Sequence, residues 1–276
     1  MSTHTHAYVL GHADHELQRL ERQGHFLHAL TEEVLTRAGI GAGMRVLDFG
    51  AGAGDVSLVL ARLVGPSGTV IAVDRAEEAV VRARSRFAAL AVDNIEVHVG
   101  DEATAAALAG GGYDAVAGRL VLLHQRDPVA TIERLARCLR PGGIVAFHEI
   151  EIDAGCWASP PLPLLARTFD WISGTFVRGG MPRDISAHLA RGFASAGLVD
   201  VRLMREGRIE TGPDSGAYEF LTRTLRTLLP IAQRLGLATA EEVDIDTLEE
   251  RLRREAVEAN ARFVPAFFSV AWARRA

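Results

Sequence analysis

The sequence predicts an α/β protein built on a doubly wound, mostly parallel sheet. Strand-like and helix-like patterns alternate through the first half of the chain, as in a sheet covered on both faces. A short apolar strand, Val46-Leu47-Asp48-Phe49, runs straight into Gly50-Ala51-Gly52-Ala53-Gly54-Asp55, a turn with glycine at every second position. A second strand, Thr69 to Asp74, then ends in an acid twenty residues after Gly54.

Taken in order, a helical pattern covers Ala13 to Leu35 with a break near Gly24, and precedes the first strand. Helices follow at Asp55 to Leu63 and Glu77 to Leu90, on either side of the second strand. Ile95 to Val99 reads as a third strand, the stretch from Tyr113 as a fourth, and the residues after Pro141-Gly142-Gly143 as a fifth. Between the last two, Val129 to Leu139 reads as a helix whose start is explained by Asp127 as cap and Pro128 at the first helical position. Pro182 to Ala196 is a further helix, Leu198 to Glu206 a sixth strand and Phe263 to Ala273 a seventh, with Pro265 marking a strand start or an edge.

The glycine turn points to a nucleotide-like ligand. A strand that enters a helix so abruptly needs positive φ, and the backbone must approach the ligand with no Cβ between them. Asp74 stands where a carboxylate can accept the hydroxyl protons of a ribose. Dinucleotide binding, and with it an NAD(P)-dependent oxidoreductase, is the rival reading. Its Gly-x-Gly-x-x-Gly pattern requires glycine where Asp55 stands, and Asp48 would repel a pyrophosphate. A ligand with a cationic end suits these acids better.

From about Met44 to Ile150 the chain resembles the class I S-adenosylmethionine-dependent methyltransferases, in the branch similar to the enzymes of ubiquinone and menaquinone biosynthesis. The resemblance rests on five ordered motifs: the glycine turn, the strand ending in Asp74, Ile95-Glu96-Val97-His98-Val99-Gly100-Asp101-Glu102, Tyr113 to Leu120, and Leu139-Arg140-Pro141-Gly142-Gly143-Ile144 to Phe147. It implies a Rossmann-like seven-stranded sheet of order 3-2-1-4-5-7-6 with strand seven antiparallel, carrying helical cap insertions. It also implies S-adenosylmethionine as cofactor and S-adenosylhomocysteine as product. The implied cofactor residues are Asp48, Gly50, Ala51, Gly52, Gly54, Asp74, Arg75, Gly100, Asp101, Glu102, Arg119 and Leu120, with Asp74 on the ribose and Asp101 on the adenine amine. Tyr8 and Gln23, with Arg19, are added as contacts from an N-terminal lid.

Three parts follow from this: residues 1–40 as the lid, 41–206 plus 261–276 as the cofactor-binding core, and 151–181 and 207–260 as insertions forming a cap over the substrate site. The first insertion gathers Trp157, three prolines, Phe169, Trp171 and Phe176, which suits either a substrate pocket or a small core of its own. The second carries apolar residues from Tyr218 to Leu235 at helical spacing, which suits a cover for the domain or a homodimer contact.

Methyl transfer is an in-line displacement at an activated carbon, so the protein chiefly orients reactants and excludes water. A base is needed only where the acceptor must lose a proton. His124, beyond the fourth strand, is the first candidate, followed by His148 and Glu149 at the end of the fifth; alternation sends these last two to opposite faces. The expected substrate is a small, fairly apolar metabolite, methylated on oxygen, nitrogen or carbon. A non-methyl use of the cofactor, or a catalytically idle scaffold, keeps the same motifs.

Composition narrows the remaining classes. The formal net charge is −5 and all 30 basic side chains are arginine, which disfavours a nucleic-acid partner. No apolar run suggests a membrane helix or a signal peptide, so the expected location is the cytoplasm. Cys138 and Cys156 are too few for a disulfide framework. Histidine is concentrated at His4, His6, His12, His15, His25 and His28, yet no acid or thiol joins them at a ligand spacing, so no metal is expected.

Overall fold

The computed structural model describes residues 27–110 and 112–276, which form two compact units. One comprises residues 27–149, 185–204 and 269–276, the other residues 150–184 and 205–268.

The first unit opens with helix α1 over residues 27–38. Then β1 (Arg45–Phe49), α2 (Asp55–Val64), β2 (Thr69–Asp74), α3 (Glu77–Ala89), β3 (Ile95–Val99), α4 (Glu102–Leu108), β4 (Tyr113–Arg119), α5 (Pro128–Arg137) and β5 (Leu139–Glu151) alternate along the chain. After the inserted segment come α7 (Ile185–Ser195), β7 (Leu198–Glu206) and, at the C-terminus, β10 (Phe267–Arg275). The sheet has the order β3-β2-β1-β4-β5-β10-β7, which is the expected 3-2-1-4-5-7-6 once the extra small strands are set aside. Arg274 and Arg275, at the end of β10, donate to the carbonyls of Gly142 and Leu139 near the start of β5, so β10 runs against its neighbours.

Parallel register places Leu47 beside Ile71 and Val116, and Ala115 beside Ile144. Alternation then divides the core. Leu47, Phe49, Ile71, Val73, Val116, Val145 and Phe147 face α5 and α7, while Val46, Val70, Ala115, Ala117, Ile144 and Ala146 face α1 and α2. Both faces are covered, so the strands read as continuous apolar runs. Each fully buried aliphatic side chain contributes about 1.5–3 kcal/mol.

The other unit has its own core. It contains β6 (Trp157–Ser159), α6 (Pro163–Arg178), β8 (Glu210–Thr211), α8 (Ala217–Arg234), α9 (Ala240–Val243), α10 (Leu248–Glu258) and β9 (Arg262–Val264). Helices α6, α8 and α10 pack together, and Glu255 of α10 accepts from the free N–H groups of Leu164 and Leu165 at the start of α6. Tyr218 of α8 stacks on Phe263 with centroids 5.5 Å apart.

Three expectations change. The seventh strand is two strands: Pro265 and Ala266 separate β9, which joins β6 and β8 in a three-stranded antiparallel sheet, from β10 in the main sheet. A proline has no N–H to continue a ladder, so the chain leaves one sheet there and enters another. Between strands three and four, where no helix is expected, stands the alanine-rich α4, capped by Asp101 accepting from the N–H groups of Ala103 and Thr104. Leu139 begins β5 rather than ending α5. Helix α1 packs Leu35 and Ala38 against Val46, Val56 and Leu60 of the sheet unit.

Candidate active site

The glycine turn after β1 is fixed by its own backbone and by three neighbouring elements. Gly50, Gly52 and Gly54 have φ of +74°, +54° and +85°. A Cβ on Gly50 would fall 2.3 Å from Val121 Cγ2, and one on Gly54 2.2 Å from Phe87 Cζ, so glycine is required there on two counts. The N–H groups of Gly50 and Ala51 donate to Val73 O at the end of β2.

Asp74 completes that attachment. Its Oδ2 accepts from Gly52 N at 2.8 Å and its Oδ1 from Ala76 N at 2.9 Å. Each carboxylate oxygen offers about two lone pairs, so one remains on each for a further donor. Gly100 N donates to Asp74 O, which ties the end of β3 to the same point, and Arg75 reaches across to hydrogen-bond Gln125 beyond β4.

Charge gathers around the turn. Arg86 of α3 donates to Ala53 O at 3.2 Å and pairs with Asp55 Oδ1 at 2.7 Å. Arg119, at the end of β4, places Nη2 3.8 Å from Asp55 Oδ2 and donates through Nη1 to Thr31 Oγ1 of α1 at 3.1 Å. Burial lowers the Arg119 pKa from its ordinary value, and Asp55 and Asp48 oppose that.

Asp48 lies wholly beneath the turn. Ser57 Oγ donates to its Oδ2 at 2.5 Å, while Oδ1 has no hydrogen-bond partner among the described residues. Burial pushes the carboxyl up to about 7; Ser57 and Arg119 pull it down, and Asp74 and Asp55 add to the rise.

The catalytic candidates are placed differently from one another. Glu149 is fully buried and accepts from the N–H groups of Val121 and Leu122 at 3.0 and 2.9 Å, and from Leu123 at 3.4 Å. Burial raises it to about 7, against the pull of those donors. Its observed task is therefore to hold the 120–124 turn, where Leu120 takes φ +52° and donates its N–H to His148 O. His148 is also enclosed, with Nδ1 3.2 Å from Thr31 Oγ1, and burial followed by the Arg119 charge pushes it down to about 3. The two do face opposite ways, but neither meets solvent. His124 is half-buried, on the short turn that Glu149 anchors.

Asp101 is exposed and caps α4 through Oδ1. Glu102 turns toward α5, accepting from Thr131 at 2.9 Å and Arg134 at 3.1 Å. Burial pushes Glu102 up, but those bonds and its own backbone N–H outweigh it and hold the carboxyl below its ordinary value. Tyr8, Arg19 and Gln23, together with the histidines up to His25 and the expected helix before residue 27, lie outside the described residues. Arg86, Ser57, Thr31 and Val121 take part in the site without being legible beforehand; each is a common residue on a helix or loop, with no motif around it.

The glycine turn and the Asp74 bridge thus stand together at the strand ends of the seven-stranded sheet. Residues 40–166 match a family model described as a methyltransferase domain. The chain is 32% identical over 170 residues to nocamycin O-methyltransferase of Saccharothrix syringae, covering 61% of this chain and 60% of that one. It is 30% identical over 138 residues to demethylmenaquinone methyltransferase of Lactococcus lactis, covering 50% and 52%. It thus spans about half to three fifths of the length of these relatives. A crystal structure described as an S-adenosylmethionine-dependent methyltransferase from Aquifex aeolicus shares the fold, with TM-score 0.52, 18% identity, and 96% and 100% of the two chains covered. Residues 40–166 are thus similar in sequence to methyltransferase domains, and the chain shares the fold of the Aquifex aeolicus structure.

Proposed function

We propose that this chain transfers a methyl group from S-adenosylmethionine to a small, fairly apolar metabolite. The observation that carries the reading is the Asp74 bridge: a half-exposed carboxylate that holds the glycine turn through Gly52 N–H and keeps acceptor capacity on both oxygens for a ribose. Of the surrounding acids, Asp55 is paired with Arg86 and Arg119 and Asp48 is buried with its carboxyl pushed up to about 7, so Asp74 is the carboxylate that remains for a ligand. The bound donor supplies a methyl carbon activated by positive sulfur.

The chain's own residues bind, orient and exclude water. Gly50, Ala51, Gly52 and Gly54 present backbone to the donor, Asp74 and Arg75 take the ribose side, and Gly100, Asp101 and Glu102 the adenine side. Arg119 and Leu120, at the end of β4, border the methionine part, with Asp48 beneath. Tyr8 and Gln23 are assigned to a lid formed by the N-terminal residues. His124 is the group we assign to proton removal where the acceptor is a hydroxyl, because it sits half-buried on an anchored turn.

The relatives named for nocamycin and for demethylmenaquinone support a metabolite acceptor. We assign the choice of acceptor to the insertions 151–181 and 207–260; the apolar stripe of α8, whose spacing also suits a homodimer contact, is buried, with Tyr218, Leu221, Leu225 and Leu228 enclosed beside α6 and α10. No helix among the described residues is long and apolar enough to cross a membrane, and free Cys138 and Cys156 suit a cytoplasmic setting.

Equilibrium titration with S-adenosylhomocysteine tests the reading. Saturable binding, weakened at least about tenfold by Asp74→Ala, is expected. Absence of saturable binding, or an Asp74→Ala variant that binds like the parent, refutes it.

A further inference from the structure

A second polar recess lies on the sheet unit, away from the glycine turn. A groove of about 710 Å³ runs between α4 and α5 and opens at the N-terminal ends of β4 and β5, where Gly112, Leu139, Arg140 and Pro141 line it. The glycine turn and Asp74 stand at the other ends of the parallel strands; the groove reaches toward that end only through Asp101 and Glu102 at the start of α4, while Arg137, Arg140 and Arg275 lie away from it.

Its charge departs from that of the whole chain. Arg134, Arg137, Arg140 and Arg275 line it against Asp101 and Glu102, four cations to two anions on a molecule of net charge −5. The anions lie toward the start of α4, and Glu102 is already held by Thr131 and Arg134. At the other end Arg140 is fixed by Asp114 through Nε at 2.5 Å, which orients its remaining donors. Arg275 hydrogen-bonds the carbonyls of Arg137 and Leu139, covering acceptors at the end of α5 that would otherwise repel an anion. Arg137 is exposed and forms no ion pair among the described residues. The walls between these arginines are small: Ala103, Ala106 and Ala109.

We propose that this groove binds a small phosphate-bearing metabolite, with the phosphate on Arg137, Arg140 and Arg275 and the organic part along the alanines of α4. Guanidinium forks match phosphate oxygens in pairs, which a lysine would not do and which the all-arginine composition supplies. A volume of 710 Å³ falls within the range of small-molecule sites. The proposal does not depend on the methyl-transfer reading.

The test is calorimetric titration of the full chain with pyrophosphate at low salt, with and without excess S-adenosylhomocysteine, and with citrate as a carboxylate of comparable charge. One saturable site is expected, unaffected by S-adenosylhomocysteine, tighter for pyrophosphate than for citrate, and weaker at physiological salt. Arg137→Glu should weaken it at least about tenfold. Because Arg137 is exposed and forms no ion pair among the described residues, that variant should still fold and melt close to the parent, short only of the favourable charge at the end of α5. Arg140→Gln, which removes the fixed cation, should weaken binding as well. The absence of saturable heat, displacement by S-adenosylhomocysteine, equal affinity for citrate, or retention of binding in Arg137→Glu would each overturn the assignment.

Discussion

Arg119 Nη2 lies 3.8 Å from Asp55 Oδ2, so a guanidinium at the end of β4 reaches the first turn of the helix that follows the glycines. The Arg119 side chain is 8% exposed and that of Asp55 11%, so their attraction is only weakly screened. Removing Arg119 leaves Asp55 with Arg86 as partner but takes the named cation away from Asp48. Arg119→Met should therefore destabilise the chain by about 2–4 kcal/mol in urea unfolding, with Arg119→Lys recovering only part because it cannot reach Thr31 and Asp55 together. Adding Asp48→Asn to Arg119→Met should restore some of the loss. An unchanged midpoint for Arg119→Met would show that the guanidinium contributes nothing there.

Asp48 also makes stability depend on pH. Its carboxyl titrates at 3.8 in the ordinary state and at about 7 when folded. Between those values the folded chain keeps a proton that the unfolded chain has lost, so this group's contribution to stability falls as pH rises toward 7. Glu149, moved from 4.5 to about 7, acts in the same direction. His148 acts in the opposite one: moved from 6.5 to about 3, it stays neutral in the fold while the unfolded chain takes up a proton below 6.5, so its contribution rises with pH. Asp48→Asn removes the contribution of Asp48 alone. The stability of that variant relative to the parent should increase with pH between about 4 and 7, by at most about 1.4 kcal/mol per pH unit, and level off above. A difference that is flat across this range would contradict the buried, near-neutral titration of Asp48.

The positions that could be read beforehand are those where one residue type meets a backbone demand. Gly50, Gly52 and Gly54 were legible because positive φ admits little else, and the start of α5 because Asp127 and Pro128 are a cap and a first-turn residue. The parallel sheet was legible from apolar runs buried on both faces. Helix α4 was not, because its alanines carry no periodic apolar stripe and its cap, Asp101, is also the residue expected to hold adenine. The break at Pro265 was visible as punctuation, but the partner strands β6 and β8 are three and two residues long and have no pattern to recognise. The anchoring role of Glu149 was not legible, because its three N–H donors lie 26 to 28 residues away along the chain.

Gly54 offers a steric test of the turn. With φ at +85° and Phe87 Cζ 2.2 Å from the position of a Cβ, Gly54→Ala meets both backbone strain and overpacking. Their sum should be about 2–4 kcal/mol in denaturant unfolding. Phe87→Leu placed alongside it relieves the packing part only, so the double variant should lie between Gly54→Ala and the parent after correction for Phe87→Leu alone. If the double variant shows no recovery, the contact with Phe87 is not what excludes a side chain.

Glu149 separates anchoring from proton transfer. Glutamine keeps an acceptor oxygen for the N–H groups of Val121 and Leu122 and loses only the longer bond from Leu123, so Glu149→Gln should cost about 1 kcal/mol. Leucine leaves all three donors buried without an acceptor and should cost about 3 kcal/mol or more. The same anchor sets Leu120, at φ +52°, and the turn carrying His124. Glu149→Leu should therefore also weaken S-adenosylhomocysteine binding, whereas Glu149→Gln should keep it within about threefold, a difference of less than about 1 kcal/mol. Calorimetry and urea unfolding on the two variants read both quantities. If Glu149→Gln lost as much stability and affinity as Glu149→Leu, the carboxylate charge, and not its acceptor geometry, would be what the turn requires.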